Sequence, residues 1–593
     1  MTAHTRPIRI ANCSGFYGDR LDAPVQILRS PEPIDVLTGD WLAELTMSIL
    51  AKSRMRGRAG YATTFITQMQ QVLGLCHQRG IKVVSNAGGV DPHGCAAKVR
   101  SIADDLGIAI SVAVVDGDDL LGRLDELRTA GECFRHLDTG EVWAGDATDV
   151  VAANAYLGGH GITAGLRAGA DVVITGRVAD AAVVSGAAAW WHDWDIENFD
   201  ALAGATVAGH AIECGTQVTG GNFAFFDEIP DLTEPGFPIA EIAVDGSSVI
   251  TKVIGTGGAV TVDTVTAQLL YEISGPRYPV PDVVARFDTV QLRELGTDRV
   301  QISAACGEPA PECAKALLTY PGGFRNAMTL AITGAERHAK AELAQRAVWA
   351  QIPGGQERFA ESLVEVIGAG LDSVAPDDQS YLRLSVSDPD SAVVGREFSS
   401  AAVATALGSY PGLYLTTPPG PAAEFMVGWP TLIDVCHVHP RITLDGSQLQ
   451  IMTPTTAELA VDQPRNTKPD NEFSSTEPAP ITIGEYLGAR SGDKGGNANL
   501  GLWVRDERYL PLLTYLTEPG RLASLLPEFT GRDIRVYPLP NLNAVNVVIA
   551  GLLGHGVAAS LREDPQAKSL GERFRAVRTA VPGSLLSQPT PEA

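Results

Sequence analysis

The chain has no apolar run approaching the roughly 18 residues that a membrane-spanning helix needs, and Met1–Ile10 has no apolar stretch of the kind found in a signal peptide. CxxC pairs are missing too. The eight cysteines are scattered at 13, 76, 95, 133, 214, 306, 313 and 436, which suits reduced thiols in a cytoplasmic protein better than a disulfide framework. Basic residues are in the minority, with 45 Lys and Arg against 70 Asp and Glu for a net charge of −25, and they form no long run. Nucleic acid and membrane are therefore poor partners, and an anionic substrate needs a local positive pocket. Two nucleotide signatures are absent. No loop after the first strand has G-x-G-x-x-G spacing, and none has the G-x-x-x-x-G-K-[ST] spacing of a P-loop, which argues against NAD and FAD and leaves any cofactor unknown. No internal repeat or heptad occurs.

At 593 residues the chain is far beyond the size of one hydrophobic core, so about two to four domains are expected. From Ile8 to about Ala189, short β-branched runs alternate with helical patterns. This predicts an α/β fold with an open, mostly parallel sheet flanked by helices. The expected strands are Ile8–Ala11, Ile34–Leu37, Ile81–Ser85, Ile108–Val115, Val150–Ala153 and Asp171–Thr175. Several end in polar or glycine-containing loops, which in an open α/β sheet gather at the carboxyl edge where ligands bind. Those loops offer Ser14, Asp19, Asp40, Asn86, Arg177 and Asp180, a mixture suited to a carboxylate or carbonyl substrate. Asp40 and Asp180 also stand where a helix cap is expected.

Beyond residue 200 the pattern is less regular. Gly255, Gly257 and Gly258 form a glycine cluster after Lys252, and a helix follows, so an anion nest at a helix start or a plain turn are both open. Cys214 lies in the polar run Glu213–Asn222 and would need a nearby base to be a nucleophile, a buried structural thiol being the commoner case. His437 and His439 would share one face of a strand, but no third metal ligand is identifiable and no metal is assigned. His160 and His555 each lie between glycines, in accessible loops that suit acid–base work near neutrality, an unpartnered loop histidine being the more frequent case. The polar, proline-containing residues 461–480 read as a linker, leaving 8–200 and 201–460 as two parts of the main region.

A smaller α+β domain is expected over 481–582, with ββαββα order and a loose tail at 583–593. Its first hairpin carries Arg490–Asn499. Gly492, Gly495 and Gly496 permit close backbone approach beside Arg490 and Lys494, so Ser491, Asp493, Lys494, Gly495, Gly496 and Asn497 are candidates for holding an anion. A tight, soluble turn is the simpler alternative.

The strings Ser14–Arg20, Leu37–Thr46, Ser85–Gly89 and Ile174–Asp180, the Arg490–Asn499 loop and Leu539–Leu542 together resemble the acyclic terpene utilisation A (AtuA) family. The resemblance spans about 8–455 as the main region and 481–580 as a ferredoxin-fold C-terminal domain. It implies a setting in the catabolism of acyclic terpenes such as citronellol and geraniol, which runs through branched acyl-CoA thioesters, and it carries over no catalytic residues.

The expected activity is hydratase or lyase chemistry on a branched or unsaturated acyl-CoA or related carboxylate, with the CoA thioester as substrate carrier. Asp40 or Asp180 would be acid and base, Arg177 the clamp, and Asn86 with Ser14 the orienting donors; Asp19, Lys252 and the two glycine clusters would hold anionic groups. A non-catalytic acyl-CoA-binding scaffold and a metal-dependent hydrolase are the alternatives. A homo-oligomer is expected.

Overall fold

A computed structural model describes residues 6–465 and 477–586, apart from 374, 376 and 417. The chain divides into two compact units: one comprises the residues up to Leu318, Trp429–Leu552 and those from Ala567 onward, the other Thr319–Gly428 and Leu553–Gln566.

The first unit is built on an eleven-stranded sheet. Its centre is parallel, in the order Ile8–Asn12, Val36–Gly39, Lys82–Ser85, Val172–Thr175, Val112–Asp116. Antiparallel strands extend both edges: Pro238–Ile242, Ser248–Lys252, Arg299–Ser303 and Gln291–Gly296 beyond Ile8–Asn12, and Arg441–Leu444 with Ser447–Leu449 beyond Val112–Asp116. Alternation along the strands divides the core. Ile8, Ile10, Val36 and Val84 join one cluster with the alanine-rich helices Ala182–His192 and Phe199–Ile212. Ala11, Leu37, Val83 and Ile174 join the opposite cluster with Phe65, Met69 and Val99, from helices Thr63–Arg79 and Pro92–Leu106. The latter helix starts where Asp91 accepts the Gly94 N–H at 2.9 Å and stops at Gly107, whose φ of 65° a side chain would disfavour.

One expected strand is displaced. Ala152–Ala155 forms near the predicted place but leaves the main sheet and pairs with the long strand Cys313–Ile332. Period and composition mark a strand; its partner depends on long-range docking.

The ferredoxin-like region lies within this same unit as a four-stranded antiparallel sheet, Leu487–Lys494, Asn497–Val504, Ala544–Ile549 and Ile534–Leu539 in that order. The first helix of the expected ββαββα order is broken into Leu510–Leu516 and Pro519–Leu525, because Pro519 has no N–H to continue the first of these. Much of the expected linker lies outside the described residues. At its flanks, Asp462 accepts from the Arg277 guanidinium at 2.6 Å, and Pro478–Thr482 pairs with Arg578–Pro582. Of the expected tail, Gly583–Leu585 forms a short turn and 587–593 lie outside the described residues.

The second unit centres on the strands Glu361–Gly368 and Ser380–Asp388 with the later part of Cys313–Ile332, packed through Leu330, Leu382 and Leu384 on Val348 and Phe398 of helices Arg337–Ala350 and Phe398–Ala404. Segment 553–566 is held there by Arg325, which donates to the Ala558 carbonyl at 3.0 Å, and by Arg383, which donates to that of Leu561 at 2.8 Å.

Candidate active site

Three carboxyl-edge loops of the parallel strands build the first half of the site. Gly39 ends its strand with the Trp41 ring only 2.5 Å from where a Cβ would stand, so glycine is what lets Trp41 fold back against Phe65, at 5.0 Å between rings. That anchors Asp40. Asn86, from the next loop, accepts the Trp41 N–H at 2.9 Å through Oδ1 and donates through Nδ2 to Asp40 Oδ1 at 2.5 Å. Asp40 accepts from Leu42 N–H at 3.0 Å, while the following helix begins only at Glu44 with Ala43 as its cap; the aspartate is no helix cap. Asp180 likewise precedes Ala181, the cap of its helix, and accepts instead from Arg177 Nη1 at 2.6 Å. The Arg177 guanidinium also donates to the Val178 carbonyl and lies 4.0 Å from the Tyr156 ring centre, while its backbone N–H donates to Asp118.

Burial dominates the electrostatics. It holds the Asp40 carboxyl well above the ordinary range, and the neighbouring charge of Asp180 adds to it, with Arg177 opposing. Asp40 thus keeps a proton at a pH where a surface carboxyl has lost it. Asp118, buried beneath Arg177, is pushed up to about 6.

The second half of the site comes from residues absent from the candidates above. Lys315, on the strand paired with Ala152–Ala155, donates to Glu44 at 2.9 Å, and its ammonium lies 4.9 Å from the centre of the same Tyr156 ring that Arg177 approaches. That pairing lowers Glu44 and raises Lys315 despite burial. His210 and Glu213, one turn apart where helix Phe199–Ile212 ends, are 3.0 Å apart and buried. Burial pushes His210 down to about 4 and Glu213 well up, aided by Asp180 and Glu272, so both are held in neutral form. Tyr278 packs on His210 at 5.1 Å. Glu272 has a left-handed backbone, φ 57°, in which its N–H donates to Asn499 Oδ1 at 2.9 Å; its carboxyl is raised by burial. Only Glu213 and Glu44 lie in strings conspicuous in the sequence. Glu272, Tyr278 and Lys315 carry no local signal at all.

The C-terminal hairpin closes the cluster. Its glycine-rich tip binds the chain's own Asp138: Gly496 N–H donates to Oδ2 at 3.0 Å and Asn497 Nδ2 to Oδ1 at 2.6 Å, around Gly495 at φ 63°. Arg490 donates to the Asn222 carbonyl and to Gln217 and lies 4.3 Å over Tyr271. Ser491 donates to the Ala567 carbonyl at 2.6 Å and accepts from Gly571 N–H, fastening the last helix instead of a ligand. Asp493 is pushed up to about 8 by burial and by the charges of Glu272 and Glu44. Lys494 is lowered by burial and by Lys315, with Glu272, Asp180 and Glu213 opposing.

Other candidates serve the fold. Ser14 donates its hydroxyl to the Phe16 carbonyl at 2.9 Å, and Asp19 accepts the Gly15 and Arg20 N–H groups, so both shape their own loop instead of orienting substrate. Lys252 donates to the Thr256 carbonyl at 2.7 Å and lies 3.3 Å from Asp298. Gly257 and Gly258 donate to the carbonyls of Glu234 and Pro230, and the next helix is closed by a Thr261–Thr264 capping box, leaving Gly255 in an ordinary left-handed turn. The Cys214 thiol is held well above its usual range by burial and by Glu213, the reverse of nucleophile activation. His160 Nε2 is 3.1 Å from buried Asp282. Val435–His437 is a helical turn, so His437 and His439 lack the strand alternation expected of them; among the described residues no group of three or more His, Cys, Asp or Glu is arranged to hold a metal ion.

The fold defines a mixed α/β protein whose ferredoxin-like C-terminal region contributes Asp493 and Lys494 to a cluster of buried titratable side chains. The chain belongs to the acyclic terpene utilisation family, AtuA: its model matches residues 8–444, and the AtuA ferredoxin-like domain matches 481–579. Comparison with curated proteins and with solved structures brings no match. No helix among the described residues is long and apolar enough to cross a membrane.

Proposed function

We propose that the protein is an enzyme of acyclic terpene utilisation that adds water to, or removes it from, a branched unsaturated acyl-CoA or related carboxylate. The family supplies the metabolic setting. The observation that carries the chemistry is that burial, with the charge of Asp180 adding to it, holds the Asp40 carboxyl well above the ordinary range, while Asp180 itself is bound by Arg177 at 2.6 Å. A carboxyl raised by burial near a second carboxyl that is hydrogen-bonded to a guanidinium supplies the elements of an acid–base pair. In hydration, Asp180 takes a proton from water, the hydroxide oxygen bonds to the β-carbon, and Asp40 delivers its proton to the α-carbon; proton exchange between the two carboxyls restores the starting state. Asn86 holds Asp40 at 2.5 Å. Arg177 holds Asp180 in place through its 2.6 Å hydrogen bond.

The test is to incubate the protein with a panel of branched, unsaturated acyl-CoAs and follow gain or loss of one water by mass. Turnover is expected for at least one member, and Asp40→Asn should lower kcat by about 100-fold or more with the fold intact. No turnover with any member, with or without divalent metal, would sink the proposal.

A further inference from the structure

The cations around the cluster are unequally engaged. Arg177 is paired with Asp180, Lys315 with Glu44, and Arg490 with Gln217 and the Asn222 carbonyl. Lys494 differs. Among the described residues it has neither a hydrogen bond nor an ion-pair partner, and its ammonium lies 5.7 Å from the Tyr278 ring centre. It is also held in place. The hairpin tip beside it is bound to Asp138, the Gly492 and Gly501 positions leave no room for a Cβ against Tyr271 and Leu270, and Asn499 is tied to the backbone of Glu272. A half-buried ammonium without a partner is a costly arrangement unless an anion completes it.

We infer that Lys494, supplied by the C-terminal domain, is a substrate-contacting residue that receives the acyl oxyanion: the carboxylate of a free acid, or the carbonyl oxygen of a thioester as it gains negative charge. The inference rests on the acyl substrate proposed above. A lysine suits the task as a compact point charge, and a preplaced cation at a developing oxyanion is a large contribution to catalysis. Glu272, Asp180 and Glu213 act on Lys494 electrostatically, yet none of them forms an ion pair with it among the described residues.

The experiment uses the full chain and two probes, 3-methylbut-2-enoate and its CoA thioester, titrated by calorimetry into wild type, Lys494→Met and Lys494→Arg. Binding of at least one probe by wild type is expected, weakened about tenfold or more in Lys494→Met and less in Lys494→Arg. Loss confined to the free acid identifies a carboxylate, and loss confined to the thioester identifies its carbonyl. Circular dichroism and melting check the fold, and Lys494→Gln replaces the methionine variant if that one does not fold. Equal affinity in wild type and the neutral variant, or no binding of either probe by wild type, overturns the inference. The two readings fail separately: turnover unaffected by Lys494→Met removes this inference alone, whereas Lys494-dependent binding without turnover of any acyl-CoA removes the hydration chemistry alone.

Discussion

Gly255–Gly258 and the Arg490–Asn499 hairpin share a composition, glycines beside a lysine, yet they have opposite relations to the rest of the chain. At the first, the carbonyls of Glu234 and Pro230 take the glycine N–H groups and Asp298 takes Lys252, all from neighbouring segments. At the second, the partner of the glycine tip arrives from far along the chain as Asp138, and Lys494 is left with neither a hydrogen bond nor an ion pair among the described residues, 5.7 Å from the Tyr278 ring centre. A glycine run offers donors, but what meets them is settled by the surrounding fold.

Three changes test that contrast. Asp138→Ala should have the largest effect, about 3 kcal/mol of stability, because it removes two hydrogen bonds to a carboxylate and leaves a part-buried N–H unpaired; denaturant unfolding measures it, and amide exchange of the hairpin should accelerate. Unchanged exchange there would show that the tip is held by something else. Asp493→Asn acts on pH dependence. A carboxyl raised from 3.8 to about 8 contributes stability that is present below pH 3.8 and lost as pH rises through about 8. The variant should therefore show a flatter decline of melting temperature between those limits than wild type, and an identical profile would remove Asp493 from the buried cluster. Lys252→Met should be the mildest, about 1 kcal/mol, since Asp298 is partly exposed and still accepts the Val260 N–H. Acyl-CoA turnover should stay unchanged, and a loss there would erase the distinction between the two runs.

Much of the first half of the site is legible in the chain. Asp40, Asn86, Arg177 and Asp180 follow strands whose β-branched residues announce a parallel sheet, and the loops after such strands meet at one edge. Ser14 and Asp19 follow the same rule and still turn out to hold their own loop, because short polar side chains find nearby backbone first. Glu272 and Lys315 were not legible: one follows a helix in an unremarked stretch, the other lies within a strand, and each becomes part of the cluster only when distant segments pack. The Ala152–Ala155 strand shows the same division within a single element, its existence readable and its partner not.

Local chemistry by itself determined the strands, the helix ends and the carboxyl-edge loops, since propensity, alternation and capping act within a few residues. Tertiary structure alone decided which carboxyls burial raises and that Lys494 has no ion-pair partner among the described residues. Those properties depend on burial and on charges brought together from across the chain, and the placing of Asp493 and Lys494 beside Glu272 and Glu44 has no counterpart in residue order.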